Sequence, residues 1–239
     1  MNYIIFASDI DGEIQANLIK LGVTPVKLRG FERFGKTCPL SYHPDMFCFN
    51  LEGNKWIFYE EIYEINKNII DKLNLDIITA ENPVSCEYPF DVGLNAAMFG
   101  VHLICNVRHT NQKIIEYANQ TGKNIIDVKQ GYAKCSVCVA GENSIITSDG
   151  AIYKKAVSNN IDALLIESGH INLDGYNHGF IGGCSGLISK NKLVFTGNIE
   201  LHPNYSDIKR FCWGRGVETV SLSQKKLYDY GSLLKFAEI

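Results

Sequence analysis

The chain has 239 residues, 46% of them apolar, and no Pro/Gly/Ser-rich stretch divides it, so residues 1–239 read as one domain with a sizeable core. A net charge of −3 without a basic stripe excludes nucleic acid as the main partner, and no apolar run approaches the ~20 residues of a membrane helix. Met1-Asn2 leads straight into a strand with no basic segment or cleavage site, so a cytoplasmic location is expected, with the eight cysteines as reduced thiols.

In chain order, Tyr3–Ala7 is short, apolar and partly β-branched, as a buried strand should be; a helix is expected at 11–22 and a strand at Val23–Leu28. Met46–Phe49 and Trp56–Tyr59 form a hairpin over Gly53-Asn54, followed by a helix at 60–74 and a strand at Leu75–Thr79. Ile62, Ile65, Ile69 and Leu73 put one apolar stripe on that helix. Ala96–Phe99 and Leu103–Cys105 precede a helix at 110–122 and a strand at Asn124–Val128. Cys135–Val139 and Ser144–Thr147 flank Gly141-Glu142-Asn143, with a helix at 149–160 and a strand at Ile161–Ile166. Leu187–Ser189, Leu193–Phe195, a helix at 204–215 and Val217–Leu222 complete the pattern. Gly22, Gly122 and Gly216 stand where a helix end favours a left-handed residue.

The strands that enter the helices start at Tyr3, Lys55, His102, Ser144 and Lys192, which are 52, 47, 42 and 48 residues apart, and 50 on closing the chain on itself. Such a period marks repeated units. The first unit lacks an opening strand, and Ser232–Phe236 can supply it by pairing antiparallel with Tyr3–Ala7.

These five ββαβ units, with Gly-Tyr-Ala-Lys-Cys-Ser-Val-Cys-Val at 131–139, Glu-Ser-Gly-His at 167–170 and Gly-Phe-Ile-Gly-Gly-Cys-Ser-Gly at 179–186, resemble a bacterial branch of the guanidine-modifying superfamily. That superfamily holds arginine deiminase, the amidinotransferases and dimethylarginine dimethylaminohydrolase. The resemblance implies an α/β fold, a five-fold pseudo-symmetric α/β propeller (pentein) closed by the C-terminal and N-terminal strands. It also implies that the first residues of the opening strands point into a central channel: Asp45, Asn95, Cys135, Cys184 and Ser232. His43-Pro44-Asp45 resembles the His-x-Asp of the deiminases, where the histidine shuttles protons and the aspartate holds the guanidinium. The residue types suit those roles, since imidazole titrates near neutrality and a carboxylate matches a planar guanidinium.

By the same resemblance the nucleophilic thiol is Cys135, two units on from His43, with Lys134 favouring the thiolate and Cys184 as its rival. Asn95, Glu167, Cys184 and Ser232 are the expected substrate contacts, and loops 29–44, 80–94 and 167–183 frame the entrance. The implied partner is a small guanidine- or amidine-containing molecule, and the chemistry needs neither cofactor nor metal. Two features depart from the pattern. The deiminases carry their cysteine near the C-terminus, and their Glu-Gly-Gly-Asp is absent, since Glu167-Ser168-Gly169-His170 ends without a second acid. Two alternatives stand beside this reading. One is a propeller that binds without catalysis. The other is a phosphatase built on Asp9-Ile10-Asp11-Gly12, which resembles the first motif of haloacid dehalogenase-type enzymes. The sequence leaves the oligomeric state open.

Overall fold

Helix starts in this chain are set by short polar side chains that satisfy free N–H groups. In the computed structural model, which describes residues 2–237, Asp11 accepts from the Glu13 N–H, Asn111 from Lys113, and Asp149 from Ala151 and Ile152. The helices they open are α1 (Gly12–Lys20), α4 (Gln112–Gln120) and α6 (Gly150–Ser158). Gly22, Gly122 and Gly216 take positive φ just past helix ends, as their positions predict.

Five three-stranded sheets result. The first joins β1 (Asn2–Ala7), β2 (Val23–Leu28) and β15 (Leu234–Ala237). The second holds β3 (Cys48–Glu52), β4 (Lys55–Tyr59) and β5 (Asp76–Ala80), with α3 (Glu60–Ile70) as its crossover. The third holds β6 (Ala97–Phe99), β7 (His102–Cys105) and β8 (Asn124–Asp127), and the fourth β9 (Cys138–Gly141), β10 (Ser144–Thr147) and β11 (Asp162–Leu165). The fifth holds β12 (Ser185–Ser189), β13 (Lys192–Phe195) and β14 (Glu218–Ser221), with α7 (Tyr205–Trp213) between the last two. In each sheet the middle strand runs parallel to the strand after its helix and antiparallel to the opening strand.

The expected pairing of the two chain ends is present: β1 and β15 are antiparallel, from Asn2 opposite Ala237 to Ile5 opposite Leu234. Phe236 is buried there, stacked on Tyr3 with ring centroids 5.0 Å apart and edge-on to Trp56 at 5.8 Å. Apolar clusters then tie neighbouring sheets. Ile5, Phe47, Trp56 and Leu103 join the first three, and Ala97, Ile104 and Ile145 the third and fourth. Cys138, Ile146 and Phe195 join the fourth to the fifth, and Ile4, Phe6 and Val194 join the fifth back to the first. Each large side chain in these clusters contributes roughly 1.5–3 kcal/mol by leaving water. Among the described residues no sheet closes on itself, so the sheets meet through side chains and not through a continuous ladder. One strand from each, β3, β6, β9, β12 and β15, lines a single central cavity of about 180 Å³.

The opening strands begin later than their apolar runs imply. Pro44 at the first helical position holds Pro44–Phe47 in one turn, α2, before β3. Ala133–Ser136 forms a second single turn, α5, before β9. Asp45 and Cys135 therefore sit on helical turns rather than on strand mouths. Ser232 stands two residues before β15 with φ +71°.

Candidate active site

Helical turns project side chains inward at positions where a strand would alternate them, and this brings Asp45 and Cys135 together. The Cys135 thiol donates to Asp45 Oδ2 at 3.2 Å, and the Ser232 hydroxyl donates to the same oxygen at 2.6 Å. Asn95 fixes the pair from the third unit. Its Nδ2 donates to Cys135 Sγ at 3.1 Å and to the Asp45 carbonyl at 3.1 Å, while its Oδ1 accepts from the Lys134 and Cys135 N–H groups. Four of the expected residues, Asp45, Asn95, Cys135 and Ser232, thus share one buried network.

Asp229, which the sequence reading passed over, completes it. This carboxylate lies in the irregular segment after β14, and its oxygens accept from the Gly231 and Phe180 N–H groups at 3.0 and 2.9 Å. Its Oδ1 stands 3.7 Å from Nδ1 of buried His43. Glycines make this approach possible. A Cβ at Gly183 would lie 2.0 Å from Asp229 Oδ1, and one at Gly231 would lie 2.2 Å from the His43 Cβ. Gly183 also accepts from the Ser232 N–H and donates to the Cys135 carbonyl, so one backbone position ties both segments.

Cys135 and Asp229 border one cavity of about 220 Å³, walled by Tyr132, Tyr176, Phe180 and His178. The Tyr132 hydroxyl is anchored on Asp91 at 2.9 Å, and its ring lies 6.2 Å from that of Phe180. Loops 29–44 and 167–183 frame this cavity as expected, through Leu40 in the first and Leu173 to Phe180 in the second. From loop 80–94, Asp91 holds the Tyr132 wall in place.

Electrostatics in the network run opposite to the expectation for Lys134. Its ammonium donates to Ser232 Oγ at 2.9 Å and has no hydrogen bond to the thiol. Burial pushes the Cys135 thiol well above its ordinary value, and the carboxylates of Asp45 and Asp229 push it further. Burial also raises Asp45, against the pull of His43 and Lys134, and raises Asp229 to about 6. His43 is lowered by burial, which outweighs the carboxylates of Asp45 and Asp9. Its distance from Asp229 exceeds a hydrogen bond, and the resting imidazole is neutral.

The remaining candidates lie elsewhere. Cys184 is fully buried in an apolar cluster and donates to the Ile181 carbonyl. Glu167 is exposed and lies 3.7 Å from His170. Asp11 caps α1 and pairs with Lys225, while Asp9 is exposed. Among the described residues, no three His, Cys, Asp or Glu side chains are grouped to hold a metal ion, so the phosphatase motif has no carboxylate cluster around it.

The raised acids fix a pH dependence of stability. Between 3.8 and about 6 the folded protein keeps a proton on Asp229 that the unfolded chain has released. The folded state is therefore favoured at the acid end of that window and loses stability as pH rises through it, with Asp45 acting in the same direction. Asp229→Asn should flatten the slope by on the order of 3 kcal/mol between pH 4 and 7, measured by urea unfolding. An unaltered slope would show that Asp229 does not bear this proton.

Solved structures place the fold in a defined class. The chain is similar to dimethylarginine dimethylaminohydrolase, solved as an adduct with 4-chloro-2-hydroxymethylpyridine, at 12% identity over 92% of each chain with a TM-score of 0.56. It is also similar to the inosamine-phosphate amidinotransferase of Streptomyces griseus, at 13% identity over 88% of this chain and 72% of that one, TM-score 0.55. A third likeness is to the agmatine deiminase of C. jejuni, at 9% identity over 100% and 93% of the chains, TM-score 0.55. At these identities the likeness is one of fold: a mixed α/β, pentein-like arrangement of five small sheets. The chain itself belongs to a family of unknown function (DUF6873), whose sequence profile matches residues 5–234. No curated protein matches it. Among the described residues no helix is long and apolar enough to cross a membrane.

Proposed function

We propose that this protein is a cysteine-dependent, guanidine- or amidine-modifying hydrolase, a cytoplasmic single-domain α/β propeller whose five sheets are blades around the central cavity. The observation that carries the reading is the shared cavity: a thiol and a carboxylate at one site, between aromatic walls. Tyr132, Tyr176 and Phe180 offer ring faces to a cation, and Asp229 offers it a counter-charge. Asp229 fills the place of the second acid that Glu-Ser-Gly-His lacks.

The chemistry follows from the resting state. The thiol holds its proton because two carboxylates flank it. A guanidinium beside Sγ reverses that field and lets Asp45, which already accepts the S–H, take the proton. The thiolate adds to the amidino carbon, forming the C–S bond, and an amine departs as the C–N bond breaks, carrying the proton that Asp45 took from sulfur, while ionised Asp229 stays paired with the cation. Neutral His43, 3.7 Å from Asp229, then takes a proton from water as the water adds to the same carbon. The C–S bond breaks, a ureido or amide product leaves as the proton on the added oxygen passes through Asp45 to sulfur, and His43 releases its proton to the free amine or to solvent. No cofactor enters these steps.

A panel of small guanidines and amidines, assayed for release of ammonia or amine, tests the proposal. Turnover of at least one cationic member is expected, with Cys135→Ser lowering it by more than 10³-fold, the scale of losing a covalent nucleophile. Saturable binding of these cations without turnover would select the binding-protein reading, which the protonated, buried thiol also suits.

A further inference from the structure

The Asp45–Cys135 contact separates two cavities. Cys135 borders the aromatic one, while Asp45 and Lys134 belong to the wall of the central cavity that a strand from each sheet lines. The chemistry of this second space is different. Lys235 of β15 is half-buried in its wall, burial draws its ammonium below the ordinary value, and among the described residues no carboxylate opposes that. Lys134 spends one N–H on Ser232, and an ammonium has three. Against the two ammoniums, Asp45 is the one carboxylate among the lining residues.

The rest of the wall is mixed, with Asn50 and Ser185 polar and Phe49, Leu94, Met98 and Leu187 apolar. At about 180 Å³ the space exceeds the ~150 Å³ apolar cavity that accommodates benzene. An inorganic anion would leave the apolar wall uncovered, and a neutral molecule would leave Lys235 unpaired. We propose that the central cavity is a second binding site, taking a small organic monocarboxylate with an apolar body, its carboxylate held by Lys235 and Lys134. The site is coupled to the first by a chain of hydrogen bonds from Lys134 through Ser232 and Asp45 to the Cys135 thiol.

Titration calorimetry of the full chain with benzoate and hexanoate tests this without requiring turnover, so it stands or falls apart from the catalytic reading. One saturable site is expected. Lys235→Met keeps the length and apolar stem of the side chain and should weaken binding at least tenfold. Leu187→Trp should abolish binding by filling the space, and it serves as the independent variant if Lys235→Met does not fold. Benzamide, neutral and of the same shape, should not compete. The proposal is overturned if neither carboxylate binds, if Lys235→Met binds benzoate as tightly as the native chain, or if benzamide binds equally well. Displacement of benzoate by inorganic phosphate at equal concentration would also overturn it, since the site would then read charge alone.

Discussion

Chloroacetamidine is expected to alkylate Cys135 first among the eight cysteines, while chloroacetamide, its neutral counterpart, reacts there at least tenfold more slowly. The cause is the sign of the local charge. Two carboxylates and full burial hold the thiol protonated, so a neutral reagent meets an unreactive S–H. A cationic amidine brings the charge that the site lacks and sits against Asp229 as it does so. Asp229→Asn should slow the cationic reagent by roughly tenfold or more, the size of a single close charge interaction, while the neutral one is not slowed, since losing this carboxylate relieves the thiol. His43→Ala should slow it as well, through loss of the imidazole beside Asp229. Peptide mapping with mass spectrometry reads the site. Label on Cys184 would move the nucleophile to the other thiol, and equal rates for both reagents would remove the electrostatic argument.

Deleting residues 227–239 is expected to abolish cooperative unfolding altogether. The deletion removes Leu227, Leu233 and Phe236, all buried, together with the strand that pairs with β1. Large-to-small changes at such positions cost about 2–5 kcal/mol each, against a total stability of about 5–15 kcal/mol for a whole domain. The loss also bares the edge of β1, whose N–H and C=O groups then lack a ladder. Phe236→Ala is the milder test and should cost about 3–5 kcal/mol, because its ring fills the space between Tyr3 and Trp56. Circular dichroism melting distinguishes the outcomes: a truncated chain that melts like the native one would mean that the two ends do not hold the first sheet together.

Periodicity made the strands and long helices legible, since a buried strand or an amphipathic helix must repeat its apolar residues. Val23–Leu28 forms as expected, and the helices expected at 60–74 and 110–122 form over Glu60–Ile70, continued by a 3-10 turn at Asp71–Leu73, and over Gln112–Gln120. The site was legible in its residue types but not in its electrostatics. Cys135, Asp45, Asn95 and Ser232 recur at the same place in successive units, and their network is the physical outcome of that repeat. Lys134 precedes Cys135 in sequence, yet adjacent residues on a helical turn point apart, and its ammonium reaches Ser232 instead. Asp229 escaped because it lies in an aperiodic stretch where no pattern marks a residue as buried. Its nearest signal is position: it stands three residues before Ser232, as Tyr132 stands three before Cys135.

The thiol's surroundings come from widely separated parts of the chain: Asp45 lies 90 residues before Cys135, and Ser232 lies 187 after Asp45. During vectorial synthesis Cys135 emerges long before Asp229 and Ser232. Until they arrive it is an ordinary thiol, with the acidity and oxidant sensitivity of free cysteine. Completion of the fold brings in the carboxylates and excludes water, which silences it. The nascent protein is thus more vulnerable to oxidation at this sulfur than the finished one.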